Sequence, residues 1–574
     1  MSSQREYERW LKAPLKPEEI AELEAIRDDH KEIYRRFHMP LEFGTAGLRG
    51  IMGAGLNRMN VYVVRWVTQA FANVIVSEGK SAVKAGVAIA YDCRNNSELF
   101  AKETASVLAA NGISVKLFDA LRPTPELSFV ILETGCAAGV NITASHNTKE
   151  YNGYKVYWSD GAQLPPDHAD KIVREMNKVD MFHGVLTMPF EDAISAGRVE
   201  MLGDDIDRQF IDLVKCQSIQ RDSIKKQAGK FKMVFTPFHG TGYKLIPEVL
   251  LELGFIDVYC VVEQMATDGN FPTVASPNPE NPEGFKLATE LAERRGASLI
   301  IGSDPDADRV GVLVKNRADE FVPLSGNQTG ALLLDYIIRA KRDAGSMPRH
   351  PAAVTSIVTT KLAGIIAERN NVKLYQTFTG FKFLAEKVNQ IEEKTDERYI
   401  LAFEESFGYM AGAHARDKDA VTAAMLIAEM ATWYAEQGMT LYDALDALYR
   451  KYGHHKERTV NIAMTGADAM EHMRGVMAKL RNDPPQSMGG ILTVAVRDYL
   501  KGERYHLKGG GIEKLEISGS DVMYFEMEND VTFIVRPSGT EPKLKVYVLA
   551  SGRTNAECES KLEHYCSYAK MLLR

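Results

Sequence analysis

Short apolar runs that end in polar loops recur along this chain and constrain its fold more than any other feature. GVAIAYD (86–92) is one such run, and KMVFTP (232–237), ASLIIGSD (297–304) and YILAFEES (399–406) follow the same design. Helical patterns, such as the one from Glu98 to Leu108, separate these runs. Alternation of this kind predicts βαβ units and parallel sheets. Because ligands bind beyond the carboxyl ends of strands in such sheets, we expect the polar loops to converge on one site.

The length of the chain indicates several domains. Its 574 residues exceed what one hydrophobic core can serve, so we expect three or four domains. The segment 1–40 has the pattern of charged helices. After about residue 455 the chain gives several strand patterns and then one helix, as in a small α+β domain.

Composition and charge limit the possible partners. The chain is 45% hydrophobic and 25% charged, with a formal net charge of −8, which argues against nucleic acid as the main partner. No apolar run has the length of a membrane span, and the N-terminus lacks the apolar core of a signal peptide. The 6 cysteines form no CxxC pair. We therefore expect reduced thiols and a cytoplasmic location.

The first chemically loaded loop is TASHN, with Ser145 at its centre. Ser145 could be a nucleophile or a phosphorylated serine, with His146 and Lys155 as acid/base groups nearby. An ordinary turn is the alternative, since Ser, His and Asn are common in turns. A serine hydrolase is not supported, because the chain has no GxSxG motif here.

The second loop, SDPDADR, crowds Asp304, Asp306 and Asp308 together. Two carboxylates about 4 Å apart repel by roughly 4 kcal/mol at an effective dielectric of about 20, so the group needs a cation or a solvated surface. An EF-hand is excluded, because Arg309 and Lys315 occupy the positions of its glycine and glutamate. Oxygen ligands favour Mg²⁺, with Arg309 as a second positive charge.

The third loop, FEESFGYMAG, places Glu404 and Ser406 after a buried strand. These side chains could bind sugar hydroxyls or cap a helix. The following segment, ARDKDAV, contains Lys418, which is either a phosphate ligand or part of a surface charge cluster.

The fourth loop, RPSGTEPK, offers a guanidinium, two hydroxyls and flexible backbone amides, from Arg536, Ser538, Gly539 and Thr540. This is the chemistry of a phosphate cradle, and a plain hairpin turn is the alternative. Near the N-terminus, FGTAGLRG supplies Arg49 as a candidate anion contact, with no Walker lysine after its glycines.

Together the loops TASHN, DPDADR, EESFG and RPSGTEPK resemble, in this order, the four active-site loops of the α-D-phosphohexomutases. FGTAGLRG is similar to the N-terminal signature of that family, and the similarity runs from about residue 40 to the end. The long form of the chain resembles the branch of the bacterial α-phosphoglucomutases and the phosphoglucomutase-2/phosphopentomutase proteins. Two positions depart from the family pattern: Thr148 replaces a usual proline, and Phe403 replaces a frequent glycine.

The resemblance implies a four-domain, heart-shaped α/β fold, with three related α/β domains and a C-terminal α+β domain around a central cleft. The expected divisions are a helical extension over 1–40 and domains over 41–195, 196–318, 319–455 and 456–574.

The resemblance also implies roles for the residues of the loops. Ser145 would be the phosphoserine and would share one Mg²⁺ with Asp304, Asp306 and Asp308. His146 and Lys155 would handle protons, and Arg49 and Arg309 would add positive charge. The substrate contacts would come from the sugar loops and the phosphate loop: Thr379, Gly380, Glu404, Ser406, Lys418, Arg536, Ser538, Gly539 and Thr540.

The expected activity is interconversion of α-D-glucose 1-phosphate and glucose 6-phosphate, with glucose 1,6-bisphosphate as intermediate and activator. Phosphopentomutase or phosphomannomutase activity is the alternative, and a non-catalytic sugar-phosphate-binding protein is an alternative of another class. The expected partner is a small-molecule sugar phosphate, with no nucleic acid and no membrane, and the expected state is a monomer or weak homodimer.

Overall fold

The computed structural model describes residues 2–44, 47–464, 468–507, 509–538 and 543–572. Within these ranges the chain forms two compact units. The first comprises residues 1–325 and 406–440, and the second comprises residues 326–405 and 441–574. The helices, in chain order, are α1 Ser3–Leu11, α2 Pro17–Ala25, α3 His30–Phe37, α4 Val61–Ser77, α5 Lys80–Ala85, α6 Ser97–Ala110, α7 Thr124–Thr134, α8 Pro166–Met176, α9 Phe190–Ser195, α10 Asp204–Cys216, α11 Arg221–Gln227, α12 Gly242–Leu253, α13 Val262–Met265, α14 Lys286–Arg295, α15 Gly326–Asp343, α16 Lys361–Arg369, α17 Phe381–Lys394, α18 Ala420–Glu436, α19 Leu441–Tyr452, α20 Ala469–Asn482 and α21 Asn555–Leu572.

The strands alternate with these helices up to α19 and then follow one another more closely, as the sequence predicts. In chain order they are β1 Leu48–Ile51, β2 Val87–Tyr91, β3 Val115–Phe118, β4 Ala138–Ile142, β5 Tyr151–Trp158, β6 Val199–Leu202, β7 Met233–Thr236, β8 Val258–Cys260, β9 Leu299–Ser303, β10 Val310–Lys315, β11 Phe321–Leu324, β12 Pro351–Ser356, β13 Lys373–Thr377, β14 Arg398–Glu404, β15 Gly408–Met410, β16 His454–Ala463, β17 Ser487–Met488, β18 Ile491–Asp498, β19 Glu503–His506, β20 Ile512–Lys514, β21 Met523–Met527, β22 Val531–Pro537 and β23 Lys543–Gly552.

The first unit contains two mixed sheets. One has the strand order β1-β5-β4-β2-β3-β6 and the other the order β11-β10-β9-β7-β8. The central strands pair in parallel, but β5 is antiparallel to β4, and β10 is antiparallel to β9. The parallel βαβ core predicted from the alternating pattern is therefore present, and the antiparallel strands at the edges make the sheets mixed. The loops 143–150 and 304–309 are too short for a crossover helix, so each can only close an antiparallel hairpin.

Buried strands explain the uninterrupted apolar runs of the sequence. Every residue of β2, β4 and β9 is buried, because helices cover both faces of these sheets. The N-terminal helices join the same core: the Trp10 ring lies 5.8 Å from Phe37, 5.8 Å from Tyr62 and 5.3 Å from Phe182. Segment 1–40 therefore packs against α4 and the segment that follows α8.

The second unit combines a parallel sheet with an antiparallel one. Strands β13 and β14 both pair in parallel with β12, so their carboxyl ends share one edge. The C-terminal sheet has the order β16-β23-β22-β21-β18-β19-β20 and is antiparallel. Along β22 the side chains alternate: Phe533 and Val535 face α20 and α21, whereas Ile534 packs with the segment after β12. In the described part of the chain, no helix is both long and apolar enough to cross a membrane.

Candidate active site

Ser145 lies in a strained turn at the end of β4. Its φ is 51°, a left-handed conformation that side chains seldom adopt, and its backbone N–H donates to Thr143 Oγ1 at 2.8 Å. The Ser145 hydroxyl donates to Asp304 Oδ2 at 2.8 Å and lies 3.2 Å from His146 Nδ1. The turn therefore aims the hydroxyl at a carboxylate and an imidazole together.

Arg94 holds this serine loop from below. Its guanidinium is fully buried and donates to four backbone carbonyls: those of Ser145 and Asn147, and those of Thr148 at 2.9 Å and Tyr151 at 3.1 Å. A planar guanidinium can satisfy this many acceptors at once because its donors fan out in fixed directions. Arg94 follows strand β2 and was not among the residues that the sequence singled out.

The three aspartates of the second loop converge beyond β9. Asp304, Asp306 and Asp308 are buried, and one carboxylate oxygen from each lies within 4.8 Å of the others. Asp304 Oδ1 orders the loop by accepting from the backbone N–H groups of Asp308 at 3.1 Å and Arg309 at 3.0 Å. This group could hold a metal ion.

The unmet hydrogen-bonding capacity of the aspartates fits a cation. Oδ1 of Asp306 and Oδ1 of Asp308 are buried and accept no hydrogen bond from the described residues. A buried carboxylate oxygen without a partner is costly, and oxygen-only coordination is what Mg²⁺ prefers. The residues present therefore fit a magnesium ion.

Two buried lysines offset the negative charge of the aspartates. Lys155, on β5, places Nζ 2.7 Å from Asp306 Oδ2 and 3.6 Å from Asp308 Oδ2. Lys418 places Nζ 3.0 Å from Asp308 Oδ2 and 2.9 Å from Asp417 Oδ1. The sequence links Lys418 to the substrate phosphate, and the structure places its ammonium among these carboxylates. Its predicted role as a phosphate ligand stays a prediction.

Burial and neighbouring charges shift the pKa values of the site residues in different directions. Burial and the neighbouring carboxylates raise the pKa of Asp304. Burial also opposes ionisation of Asp306, but the ammonium of Lys155 lowers the pKa of Asp306 below its ordinary value. Burial lowers the pKa of His146 well below 6.5, and the charge of Arg309 adds to the effect, so this imidazole is neutral at pH 7.

Close backbone approaches fix how the loops meet. A Cβ at Gly240 would lie 2.4 Å from the Pro305 Cα, so only glycine allows this contact with the aspartate loop. The backbone N–H of Thr241 then donates to the Pro305 carbonyl at 2.8 Å. Across the site, Thr124 at the start of α7 donates to Asp306 from its backbone at 2.9 Å and from its hydroxyl at 3.2 Å.

Arg49 and Arg309 lie near the serine and aspartate loops, respectively. Arg49, on the exposed side of β1, donates to Asn147 Oδ1 at 3.0 Å. Arg309 places Nε 3.7 Å from Asp308 Oδ1 and an Nη 3.4 Å from Glu280 Oε1. Ser406 precedes Phe407, whose carbonyl accepts from the Val310 N–H at 3.1 Å.

The second unit holds the predicted sugar loop. Thr379 and Gly380 follow β13, and Glu404 ends β14, so both lie at the same edge of the parallel sheet. The Gly380 N–H donates to Glu404 Oε1 at 2.7 Å. The ring of Phe403, one of the two departures from the family pattern, packs against Gly330 in the same unit. A Cβ at Gly330 would lie 2.2 Å from this ring, so the glycine leaves the space that the ring needs.

Glu405 joins the sugar loop to its surroundings in the second unit. It accepts from Ser356 Oγ at 3.2 Å. Burial and the neighbouring Glu404 raise the pKa of Glu405 to about 7, and the positive charge of Arg536 acts in the opposite direction. Arg536 therefore lies close enough to the sugar loop to interact with it electrostatically.

The described part of the predicted phosphate loop lies at the end of β22. Arg536 pairs with Lys545 across β22 and β23, and the Ser538 N–H donates to the Lys543 carbonyl at 2.9 Å. Gly539 and Thr540, which the sequence also assigns to the phosphate cradle, lie outside the described residues.

The sequence patterns do not identify several residues of the site. Asp417 links Lys418 to Tyr157, whose hydroxyl donates to it at 2.8 Å, and to Gln163, whose amide donates at 2.8 Å. The position of Arg94 just after a buried strand could have drawn attention to it under the same rule that identified the other loops. Nothing local in the sequence distinguishes Asp417 or Tyr157.

Comparison with known proteins agrees with this fold and these loops. The models of the phosphoglucomutase/phosphomannomutase family match in chain order: alpha/beta/alpha domains I, II and III at residues 40–182, 208–317 and 325–452, and the C-terminal domain at 460–561. A phosphoglucomutase of Staphylococcus aureus strain N315 is 36% identical over 523 residues, which cover 89% of this chain and 90% of that protein. The phosphoglucomutase of strain MSSA476 is 35% identical over 537 residues, with 92% of both chains covered.

Solved structures share the fold at low sequence identity. The parafusin phosphoglucomutase of Paramecium, in its open form, has a TM-score of 0.68 and 18% identity, covering 93% of this chain and 97% of that one. A phosphoglucomutase/phosphomannomutase family protein of Burkholderia thailandensis has a TM-score of 0.64 and 17% identity, covering 92% and 97%.

Four matched domains, in the order in which the loops occur, define an α-D-phosphohexomutase, an enzyme that moves phosphate within a sugar. The chain belongs to the phosphoglucomutase/phosphomannomutase family, and its relatives place it on the phosphoglucomutase branch. The four-domain fold predicted from the sequence is confirmed. The domain boundaries and the role of each site residue stay predictions.

Proposed function

We propose that this enzyme interconverts α-D-glucose 1-phosphate and glucose 6-phosphate through a phosphoserine at Ser145. The observation that carries the proposal is the placement of the Ser145 hydroxyl, 2.8 Å from Asp304 Oδ2 and 3.2 Å from His146 Nδ1, beside two further buried aspartates. Relatives named phosphoglucomutase support glucose as the sugar.

The proposed reaction has two phosphoryl transfers. The 6-hydroxyl oxygen of glucose 1-phosphate attacks the phosphorus on Ser145, the bond from phosphorus to Oγ breaks, and the serine hydroxyl is regenerated. After the glucose 1,6-bisphosphate turns over, Oγ attacks the phosphorus at C1 and glucose 6-phosphate leaves. Each transfer moves one proton from the attacking hydroxyl to the departing oxygen. We assign the transfer of that proton to His146, whose Nδ1 lies 3.2 Å from the Ser145 hydroxyl, and to Lys155, which lies beside Asp306.

Charge and position account for the remaining chemistry. Asp304, Asp306 and Asp308 would hold one Mg²⁺, which when bound neutralises charge on the transferring phosphoryl oxygens. Arg309 adds a fixed positive charge at the same loop. In the second unit, Glu404, Thr379 and Gly380 would bind sugar hydroxyls, and Arg536 and Ser538 would bind the phosphate that is not reacting.

The direct test compares initial rates with glucose 1-phosphate, mannose 1-phosphate and ribose 1-phosphate, each with Mg²⁺ and a trace of the matching bisphosphate. The Ser145→Ala variant is the blank. We expect the glucose substrate to give the highest kcat/KM. A preference for ribose or mannose would contradict the assignment of the sugar, and rates no higher than the blank for all three would contradict the mutase reaction itself.

A further inference from the structure

A second concave site lies in the second unit, away from the loops described above. It is a cavity of about 860 Å³ between the start of α16, the end of α19 and the first turns of α21. None of its lining residues belongs to the serine, aspartate, sugar or phosphate loops. A volume of this size falls in the range of small-molecule sites.

Basic side chains dominate the cavity wall. Lys361, Arg553 and Lys561 line it from three different segments, against the acidic side chains of Glu557 and Asp530. Only Lys561 is neutralised directly, because its Nζ lies 2.8 Å from Glu557 Oε1. In the described part of the chain, neither Lys361 nor Arg553 has a carboxylate within 4.0 Å. The wall therefore presents two cations that form no close ion pair.

The carboxylates of Asp530 and Glu526 compensate only part of the cost of burying Lys361. It is half-buried, and its one hydrogen bond to a described residue runs from Nζ to the Asp530 carbonyl at 3.2 Å. Burial lowers the pKa of Lys361, which means that its charge is poorly solvated where it stands. A bound anion would supply the missing partner.

Neutral polar groups complete the lining. His455 is 5% exposed, and its Nδ1 lies 3.0 Å from Ser551 Oγ. The lining of the cavity therefore includes an imidazole and a hydroxyl. Burial lowers the pKa of His455 to about 4, so it acts as a neutral hydrogen-bonding group at pH 7. Charged donors flanked by neutral hydrogen-bonding groups are the chemistry that binds a phosphate monoester.

We propose that this cavity is a binding site for a phosphorylated small molecule, whose phosphate is held between Lys361 and Arg553 with Lys561 beside them. The site connects to the loops of the second unit through short covalent paths. Asp530 directly precedes β22, which ends at the phosphate loop carrying Arg536. Lys361 follows the turn of Ser356, whose hydroxyl donates to Glu405 in the sugar loop. The cavity and the proposed substrate contacts of this unit are thus neighbours along the chain.

The test is hydrogen–deuterium exchange on the full-length enzyme, followed segment by segment, with inorganic phosphate and with AMP as separate probes. We expect protection of residues 359–366 and 551–561. Tighter binding of AMP than of inorganic phosphate would support a phosphorylated small molecule as the ligand, and equal binding of the two would contradict it. These segments lie apart from Ser145 and Arg536 in the sequence, so binding at the proposed active site gives a different pattern.

Two substitutions with opposite expected effects sharpen the test. Lys361→Gln combined with Arg553→Gln should raise the dissociation constant at least about ten-fold, since charge-assisted hydrogen bonds are lost. Glu557→Gln should lower it, because the competing carboxylate is removed. Lys570→Gln, on the same helix as Lys561, is the matched control and should leave the dissociation constant unchanged. Protection confined to the segments around Ser145 or Arg536, or equal in all variants, would overturn the proposal. Mutase rates do not enter this readout, so the test stands whatever the outcome for the proposed function.

Discussion

Replacement of Arg94 by lysine tests whether the serine loop is held by one forked side chain. The Arg94 guanidinium serves four backbone carbonyls, and a lysine ammonium, with its donors on a single atom, can reach about two of them. About two buried carbonyls then lose their donor, at about 1–3 kcal/mol each, so the ordered conformation of the serine loop is destabilised by about 2–6 kcal/mol. Because about 1.4 kcal/mol corresponds to a factor of ten, kcat should fall by at least one order of magnitude.

The assay for Arg94→Lys pairs steady-state kinetics with hydrogen exchange over residues 143–151. We expect a lower kcat together with faster exchange in this segment, since the positive charge is kept and only the positioning is lost. Arg208→Lys is the control, because the exposed ion pair of Arg208 with Glu252 should contribute less than about 1 kcal/mol. A kcat for Arg94→Lys equal to that of the control, with unchanged exchange, would refute the reasoning.

Two further predictions concern the metal and the pH dependence of stability. Saturating Mg²⁺ should raise the melting temperature of the wild type, because at about 100 times Kd a bound ligand stabilises the folded state by about 2.7 kcal/mol. Asp306→Asn should abolish this shift, and an equal shift in both proteins would contradict the metal site. Burial raises the pKa of Glu457 to about 7. The folded state then binds more protons than the unfolded state between about pH 4.5 and 7, so this group costs stability as the pH rises through that window. Glu457→Gln should therefore stabilise the protein at pH 8, by at most about 3 kcal/mol, and not at pH 4; a difference independent of pH in urea unfolding would contradict this.

Residues that lie at strand ends could be predicted from the sequence. Ser145 and Asp304 each follow a fully buried apolar strand, and the rule that sites form beyond strand ends predicts that their loops meet. In the structure the Ser145 hydroxyl and the Asp304 carboxylate are 2.8 Å apart, although 159 residues separate them in the chain.

Residues that depend on tertiary contacts could not be predicted in this way. Asp417 stands between charged neighbours in ARDKDAV and looks like part of a solvated cluster, yet it is 1% exposed and binds Tyr157. The alternating pattern alone also does not show which strand pairs are antiparallel. Loop length was the available signal, because the short segments after β4 and β9 cannot hold a crossover helix.

Thr148, one of the two departures from the family pattern, lies in the serine loop that Arg94 holds. Its carbonyl accepts from the Arg94 guanidinium at 2.9 Å. A proline would offer the same carbonyl, so this contact does not depend on the residue type at position 148.

The measurement that tests the central claim most directly is the location of the transferred phosphate. The enzyme is incubated with glucose 1,6-bisphosphate carrying labelled phosphate, quenched, digested and examined by mass spectrometry. Label on the peptide that contains Ser145, discharged when unlabelled glucose 1-phosphate is added, is the expected result. Label on His146 or elsewhere, or label on Ser145 that the sugar phosphate does not remove, would contradict the phosphoserine mechanism.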